Sequence, residues 1–124
     1  MNSDELKKRT KSFAIRVYKM AEKLPKSIGS KVITYQIIKS SSSVAANYRA
    51  ACRAKSKPDF INKLKIVEEE SDETLFWLEF IAELELIKPN LLTHLLKEAD
   101  ELVSIFTASI NTTKDNLQKN KSKI

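Results

Sequence analysis

Residues 92–117 read LTHLLKEADELVSIFTASINTTKDNL, and this stretch carries the most regular apolar pattern in the chain. Apolar and small residues recur in it at steps of three and four, as they do along one face of an α-helix. The residues on this face are Leu92, Leu95, Ala99, Leu102, Phe106, Ile110, Thr113 and Leu117. A long apolar face of this kind is buried against other helices. The stretch therefore predicts a helix over about 90–117 that packs into a bundle.

Three further segments show helical periodicity. The first covers about 4–24, with Ser3 as the expected N-cap and Pro25 as the residue that ends it. The second covers about 28–55 and includes Gly29, the only glycine, near its start. The third covers about 57–87, with Pro58 in its first turn, where proline is favoured. The links between the helices are short, so consecutive helices are expected to be antiparallel neighbours.

Composition favours a single all-α domain. The chain has 124 residues with only 1 Gly and 3 Pro, which is too few turn residues for an all-β fold. We therefore predict one domain over 1–124, an antiparallel up-down-up-down four-helix bundle in which 118–124 form a frayed tail. The lone Cys52 excludes an intramolecular disulfide, and no segment resembles a signal peptide or a membrane span. A cytoplasmic protein without membrane contact is expected.

Charge is distributed unevenly between the two halves of the chain. Residues 1–62 carry 14 Lys and Arg against 4 Asp and Glu, a net charge of +10, whereas 63–124 carry 8 against 12, a net charge of −4. Such asymmetry favours a polyanionic partner for the first half, or ion pairing between the halves or between subunits. The pattern leaves these alternatives open.

Eight basic side chains of the first half are candidates for contacts with phosphates. They are Lys31, Lys39, Arg49 and Arg53, opposite the apolar face of the second helix, with Arg16, Lys19, Lys23 and Lys26 from the first helix and the link after it. Contacts of this kind bind RNA or DNA with little sequence information. The alternative is a solvated face, or one that pairs with the acidic third helix of a neighbouring subunit.

Three other features of the helices predict packing roles. Phe76, Trp77 and Phe80 widen the apolar surface of the third helix beyond what one neighbouring helix covers, which predicts an oligomer interface. Asn47 falls on the inward side of the second helix, where its amide is expected to fix helix register across the core. The run Ser40 to Ser43 predicts close helix packing, with hydroxyl contacts to a ligand as the alternative.

No residues form a recognisable catalytic or metal-binding motif. The only histidine, His94, is not part of the Glu-x-x-His spacing that di-iron bundles use, and no Ser-His-Asp arrangement is evident. We therefore predict a protein that is not an enzyme and that needs no metal or cofactor.

Two stretches carry a resemblance to a known family. They are KSSSSVAANYRAA at 39–51 and SKPDFINKL at 56–64, with supporting similarity back to Phe13 and forward through EEESDETLFWLE at 68–79. Over about 13–110 the chain resembles the bacterial 23S rRNA intervening-sequence proteins, also called the four-helix bundle protein family. Many relatives read Asn-x-x-Glu-Gly where this chain has Asn47-Tyr48-Arg49-Ala50-Ala51, which makes this stretch more basic here.

The resemblance implies an up-down bundle that assembles into pentameric rings. It also implies similarity to the accessory variability determinant of diversity-generating retroelements, which binds nucleic acid and a reverse transcriptase. Two hypotheses follow. The first is a non-enzymatic oligomer that binds RNA or DNA through basic faces of the first two helices. The second is a protein–protein adaptor that recruits a nucleic-acid enzyme through the aromatic surface around Phe76 to Phe80.

Overall fold

Four α-helices make up most of the chain. The computed structural model describes residues 1–122 and contains α1 (Ser3–Ala21), α2 (Ile28–Ala51), α3 (Lys57–Glu83) and α4 (Thr93–Ser122). A single turn of 3₁₀ helix, Pro89–Leu91, precedes α4. No strand occurs in that range, and none of its helices combines the length and hydropathy needed to cross a membrane. The predicted all-α class is confirmed.

Three helices begin at a polar side chain that caps their first turn. The Asn2 side chain accepts a hydrogen bond from the Glu5 amide at 2.8 Å, so Asn2 is the N-cap of α1 and the prediction of Ser3 was wrong by one residue. Asparagine and serine cap about equally well, and the sequence pattern alone does not choose between neighbours. Ser27 caps α2 and Ser56 caps α3 in the same way.

The first three helices end three or four residues earlier than predicted. After α1, the amides of Lys23 and Leu24 bond to carbonyls three residues back rather than four, and the amides of Arg53 and Ala54 do the same after α2. This tightened final turn keeps the apolar period going for a few residues beyond the α-helix, which is why periodicity overestimates the length.

A residue in the left-handed region ends α3. Glu85 has φ of 53°, its amide donates to the Ala82 carbonyl, and the Leu86 amide donates to the Ile81 carbonyl. This pair of bonds is a Schellman motif, in which glycine is the usual residue at the left-handed position. Here a glutamate adopts that conformation, at a cost that glycine would not incur.

The fourth helix is displaced toward the C-terminus relative to the prediction. Pro89 begins a 3₁₀ turn, and α4 starts at Thr93 rather than at residue 90. The helix also continues to Ser122, so the expected frayed tail after Leu117 was wrong for 118–122, and residues 123–124 lie outside the described range. Lys119 and Lys121 in the last turn favour helix, because their positive charges lie at the negative end of the helix dipole.

Consecutive helices pack antiparallel around one apolar core. They pack most extensively with their neighbours in the chain, and α1 meets α4 along a less extensive seam. The core is formed by the apolar faces predicted from periodicity, including Phe13 and Val17 of α1, Ile37 and Val44 of α2, Leu64, Leu78 and Ile81 of α3, and Leu102 and Phe106 of α4. Each of these side chains is at most 1% exposed.

Polar contacts inside the bundle involve the serine run rather than Asn47. Ser40 is fully buried and accepts a hydrogen bond from Thr74 of α3 at 2.9 Å. The Asn47 amide is only half-buried and donates to the carbonyl and hydroxyl oxygens of Ser43, both within α2. The prediction that Asn47 bonds across the core is therefore corrected, because its side chain lies at the edge of the buried face. The small Ser40 side chain joins α2 and α3 instead.

Candidate nucleic-acid interface

The structure divides the eight predicted basic residues among different faces of the bundle. Arg16, Lys19 and Lys23 share one groove between α1 and α4, whereas Arg49 lies in another between α1 and α2. Lys39 lies over the ring of Tyr35 at 5.9 Å. The remaining three, Lys26 in the link before α2, Lys31 in its first turns and Arg53 just after its end, are all exposed. The single basic surface on helices one and two is therefore split.

The groove between α1 and α4 gathers cations without an acidic residue in its lining. Arg16 and Lys19 lie three residues apart on one side of α1, and the tightened turn that follows α1 brings Lys23 into the same groove. The opposite wall comes from the 3₁₀ turn and the start of α4, where Asn90 and His94 add polar groups. The groove has a volume of about 260 Å³, with the largely buried Met20 and Leu95 at its base.

Farther along the contact between α1 and α4, the nearby acidic residues of α4 form an ion-pair cluster with Arg9. The Arg9 guanidinium donates to both Glu98 oxygens at 2.8 and 2.6 Å and to a Glu101 oxygen at 2.6 Å. The hydrogen bond from Arg9 is the main cause that holds the pKa of Glu98 below its ordinary value, and Arg16 adds a weaker attraction. Glu98 and Glu101 are thus engaged by Arg9. The positive charge of Lys19 and Lys23 has no such counter-charge in the groove.

Sequence reasoning anticipated pairing between the two halves of the chain but missed Arg9. The Arg9–Glu98 contact joins residues 89 positions apart. A helical pattern cannot reveal which of many surface charges meet across a bundle. The signal in the sequence was the position of Arg9, three residues after Leu6 and four before Phe13 of the predicted apolar face.

A second, larger groove lies between α1 and α2. It has a volume of about 650 Å³, and its lining is mainly apolar with a group of cations at one end. The lining residues are Lys7, Lys8, Lys11, Ala14, Ile15 and Tyr18 of α1, and Ile38, Ser42, Ala45, Ala46 and Arg49 of α2. Ile15 is 47% exposed and Tyr18 is 51% exposed, which is high for apolar side chains of this size. Of its cations, only Arg49 is among the residues predicted from the sequence to contact phosphates.

Lys39 belongs to the opposite edge of α2, near α3. Burial and the neighbouring Glu73 raise the pKa of Glu70, and Lys39 counteracts this by favouring the charged carboxylate. Lys39 therefore stabilises a half-buried acidic group of its own chain. Lys39 therefore does not share a surface with the cations that line the α1–α4 groove.

The predicted aromatic residues of α3 form a cluster at the surface. Ring centroids of Phe76 and Trp77 are 4.9 Å apart, and that of Phe80 lies 5.5 Å from Trp77. Phe76 is 52% exposed and Phe80 is 38% exposed. The Trp77 ring nitrogen is buried and has no acceptor among residues 1–122. Exposed aromatic clusters of this kind are typical of binding surfaces.

No metal centre is evident in the part of the chain that the structure describes. Within it, no three His, Cys, Asp or Glu side chains come together as ligands for an ion.

The buried Tyr48 packs on Phe106 with ring centroids 5.5 Å apart, and burial raises the pKa of its hydroxyl. Tyr48 therefore remains a neutral core residue.

Comparison with known proteins places these features in a family context. The profile of a family described as 23S rRNA-intervening sequence protein matches residues 3–108. A solved structure from Bacteroides thetaiotaomicron, described as a protein with unknown function from the S23 ribosomal protein family, is 31% identical and superposes with a TM-score of 0.80. The match covers 90% of this chain and 99% of that one. Comparison with curated proteins gives no match.

Proposed function

We propose, since the chain belongs to the 23S rRNA-intervening sequence protein family, that it is a non-enzymatic oligomer that binds RNA or DNA through the α1–α4 groove. The observation that carries this proposal is the convergence of Arg16, Lys19 and Lys23 in a groove lined by no carboxylate. Because no carboxylate lines the groove, Lys19 and Lys23 are available to a polyanion, whose condensed counter-ions are released when it binds.

The dimensions of the groove suit a nucleic-acid backbone. Arg16 and Lys23 are seven residues apart, and the end of α1 with the turn after it extends over about 10 Å in that interval. Phosphates on one strand of a duplex advance by about 3.4 Å along the duplex axis per nucleotide, so a groove aligned with that axis extends over about three of them. Asn90 and His94 could hydrogen-bond the backbone from the opposite wall.

Fluorescence anisotropy with a labelled RNA hairpin and a labelled DNA duplex tests the proposal. The Arg16→Ala/Lys19→Ala/Lys23→Ala variant should bind at least 10-fold more weakly, and the slope of log K against log salt should fall in magnitude by about 2 to 3. The matched control is Lys114→Ala/Lys119→Ala/Lys121→Ala, which removes the same charge from exposed positions of α4. Equal losses in the two variants would show that only net charge matters and would refute the groove.

The oligomer is proposed to form through the aromatic cluster of Phe76, Trp77 and Phe80. Leaving Phe76 half-exposed in a single chain forgoes favourable burial of a large apolar side chain. Repetition of the cationic groove around a ring would also raise affinity for an extended nucleic acid through avidity. The ring of five implied by the family would have five times the chain mass of 14.1 kDa in multi-angle light scattering.

The adaptor hypothesis uses the same aromatic cluster for a different protein. It predicts an oligomer that retains a partner protein in a pull-down from cell extract after nuclease treatment and touches nucleic acid only incidentally. Loss of that partner on nuclease treatment would favour direct nucleic-acid binding instead.

A further inference from the structure

The α1–α2 groove has a cationic half and an apolar half. Lys7, Lys8 and Lys11 belong to the N-terminal half of α1, and Arg49 joins them because α2 runs antiparallel and brings its C-terminal end alongside. The other half is lined by Ala14, Ile15 and Tyr18 of α1 and Ile38 of α2. Lys7 has one exposed contact with Asp4 at 3.7 Å, whereas no ion pair links the other three cations to any residue in the described range. Both halves are therefore open to a partner.

The exposed stripe of α3 has the complementary division. Glu69, Glu73, Phe76 and Phe80 follow one another at steps of four, three and four, so they lie on one side of the helix. All four are exposed. The N-terminal half of this stripe is acidic and the C-terminal half is aromatic. Neither glutamate forms an ion pair within residues 1–122.

The two surfaces also match in spacing. From Lys11 to Tyr18 is seven residues, and so is the distance from Glu69 to Phe76 and from Glu73 to Phe80. Each interval corresponds to about 10 Å along a helix. If the α3 stripe lies in the groove in the same direction as α1, carboxylates meet ammonium and guanidinium groups while aromatic rings meet Ile15 and Tyr18.

We propose that the Glu69–Phe80 stripe of α3 from a second copy of this chain occupies the α1–α2 groove. The inference rests on the proposed oligomer and names the surface that receives its aromatic cluster. Charge and apolar complementarity between two surfaces of one sequence argue for a second copy as the occupant.

Symmetric pairing of either surface with itself is unfavourable. A two-fold axis perpendicular to α3 would make two stripes antiparallel and place glutamates against aromatic rings. A two-fold axis parallel to α3 would make the stripes parallel and place glutamates against glutamates. The groove paired with itself would bring Lys8, Lys11 and Arg49 against their own copies or against apolar side chains. The favourable contact joins different surfaces and is heterologous, and such contacts continue from copy to copy.

The direction of the contact determines the form of the assembly. In an up-down-up-down bundle α1 and α3 run the same way, so a neighbour whose α3 is parallel to this α1 has its whole bundle aligned with this one. Aligned copies are related by rotation about an axis along the bundles. Repetition of that rotation closes into a ring when the angle permits. The order of charged and apolar halves on two helices therefore aligns successive copies, which is the arrangement that a closed ring requires.

Charge exchange tests the contact. The groove variant Lys8→Glu/Lys11→Glu/Arg49→Glu and the stripe variant Glu69→Lys/Glu73→Lys should each associate on the order of 100-fold more weakly than the native chain, because attraction becomes repulsion. The chain that carries all five substitutions restores opposite charges and should regain the native mass. Equimolar groove and stripe variants should also assemble with each other. The control Lys114→Glu/Lys119→Glu/Lys121→Glu has the same net charge as the groove variant and should keep the native mass.

Multi-angle light scattering gives the mass of each variant, and circular dichroism verifies that its helices are retained. A native mass for the groove variant, or a five-substitution chain that stays monomeric, overturns the inference while the oligomer itself stands. A native chain that is monomeric at all concentrations overturns both. Nucleic-acid binding is judged separately by the alanine variant of the α1–α4 groove, whose mass should stay native. Restored mass in the five-substitution chain supports the heterologous contact.

Discussion

Replacing Glu85 with glycine should stabilise the bundle, because Glu85 is the non-glycine residue with positive φ among the described residues. The conformation costs an L-residue about 1 to 2 kcal/mol, and glycine adopts it freely. Glycine also increases the conformational entropy of the unfolded chain, which reduces the gain in stability by about 0.5 to 1 kcal/mol. The net gain in the free energy of unfolding should be about 0.5 to 1 kcal/mol.

Urea unfolding at a fixed chain concentration measures this gain, since assembly makes stability concentration-dependent. The midpoint should rise with an unchanged slope. For a chain of this length, the melting temperature should rise by about 2 to 4 °C. The Schellman hydrogen bonds from Glu85 to Ala82 and from Leu86 to Ile81 are backbone contacts and survive the substitution.

Glu85→Ala is the control that separates strain from charge. A negative side chain near the C-terminus of a helix opposes the helix dipole, so its removal alone should contribute a few tenths of a kcal/mol. Alanine keeps the penalty for positive φ. If Glu85→Gly is no more stable than Glu85→Ala, backbone strain at this position is refuted.

Two further predictions concern other positions of the bundle. Gly29→Ala should stabilise the fold by about 0.4 to 1 kcal/mol, because Gly29 has no positive φ, lies in the first turn of α2 and has open space around an added methyl group; a loss of stability in urea unfolding would contradict this reasoning. Arg9→Gln should reduce the dependence of stability on acid pH, because Arg9 lowers the pKa of Glu98 in the folded state. A lowered folded pKa contributes stability above the unfolded value that is lost as pH falls through the folded one, so the native chain should lose more stability than the variant between pH 6 and about pH 3; parallel pH profiles would refute it.

Periodicity predicted the core of this bundle because the position of a residue on the buried face depends only on its own helix. Leu102, Phe106 and Leu78 lie at the positions expected from spacing alone, and all are fully buried. Helix ends depend on local geometry that spacing does not contain. The 3₁₀ turns after α1 and α2 and the left-handed Glu85 after α3 are examples.

The candidate site could be predicted only in part. The abundance of cations on α1 and α2 is visible in the sequence, but their grouping depends on which helix each one faces. Arg16 and Arg49 were assigned to one surface and lie in different grooves, because α4 packs on one side of α1 and α2 on the other. Lys8 and Lys11 were overlooked for the same reason. Their significance appears only when α2 brings Arg49 alongside them.

The aromatic cluster also gives the molecule an internal optical reporter. Trp77 is the only tryptophan in the chain, so all indole fluorescence originates between Phe76 and Phe80. Its emission depends on how much water reaches that one ring. Unfolding exposes the ring, and coverage of its two exposed neighbours by another surface would change its surroundings in a different way. The wavelength of tryptophan fluorescence from the native, unlabelled protein can therefore report both folding and association.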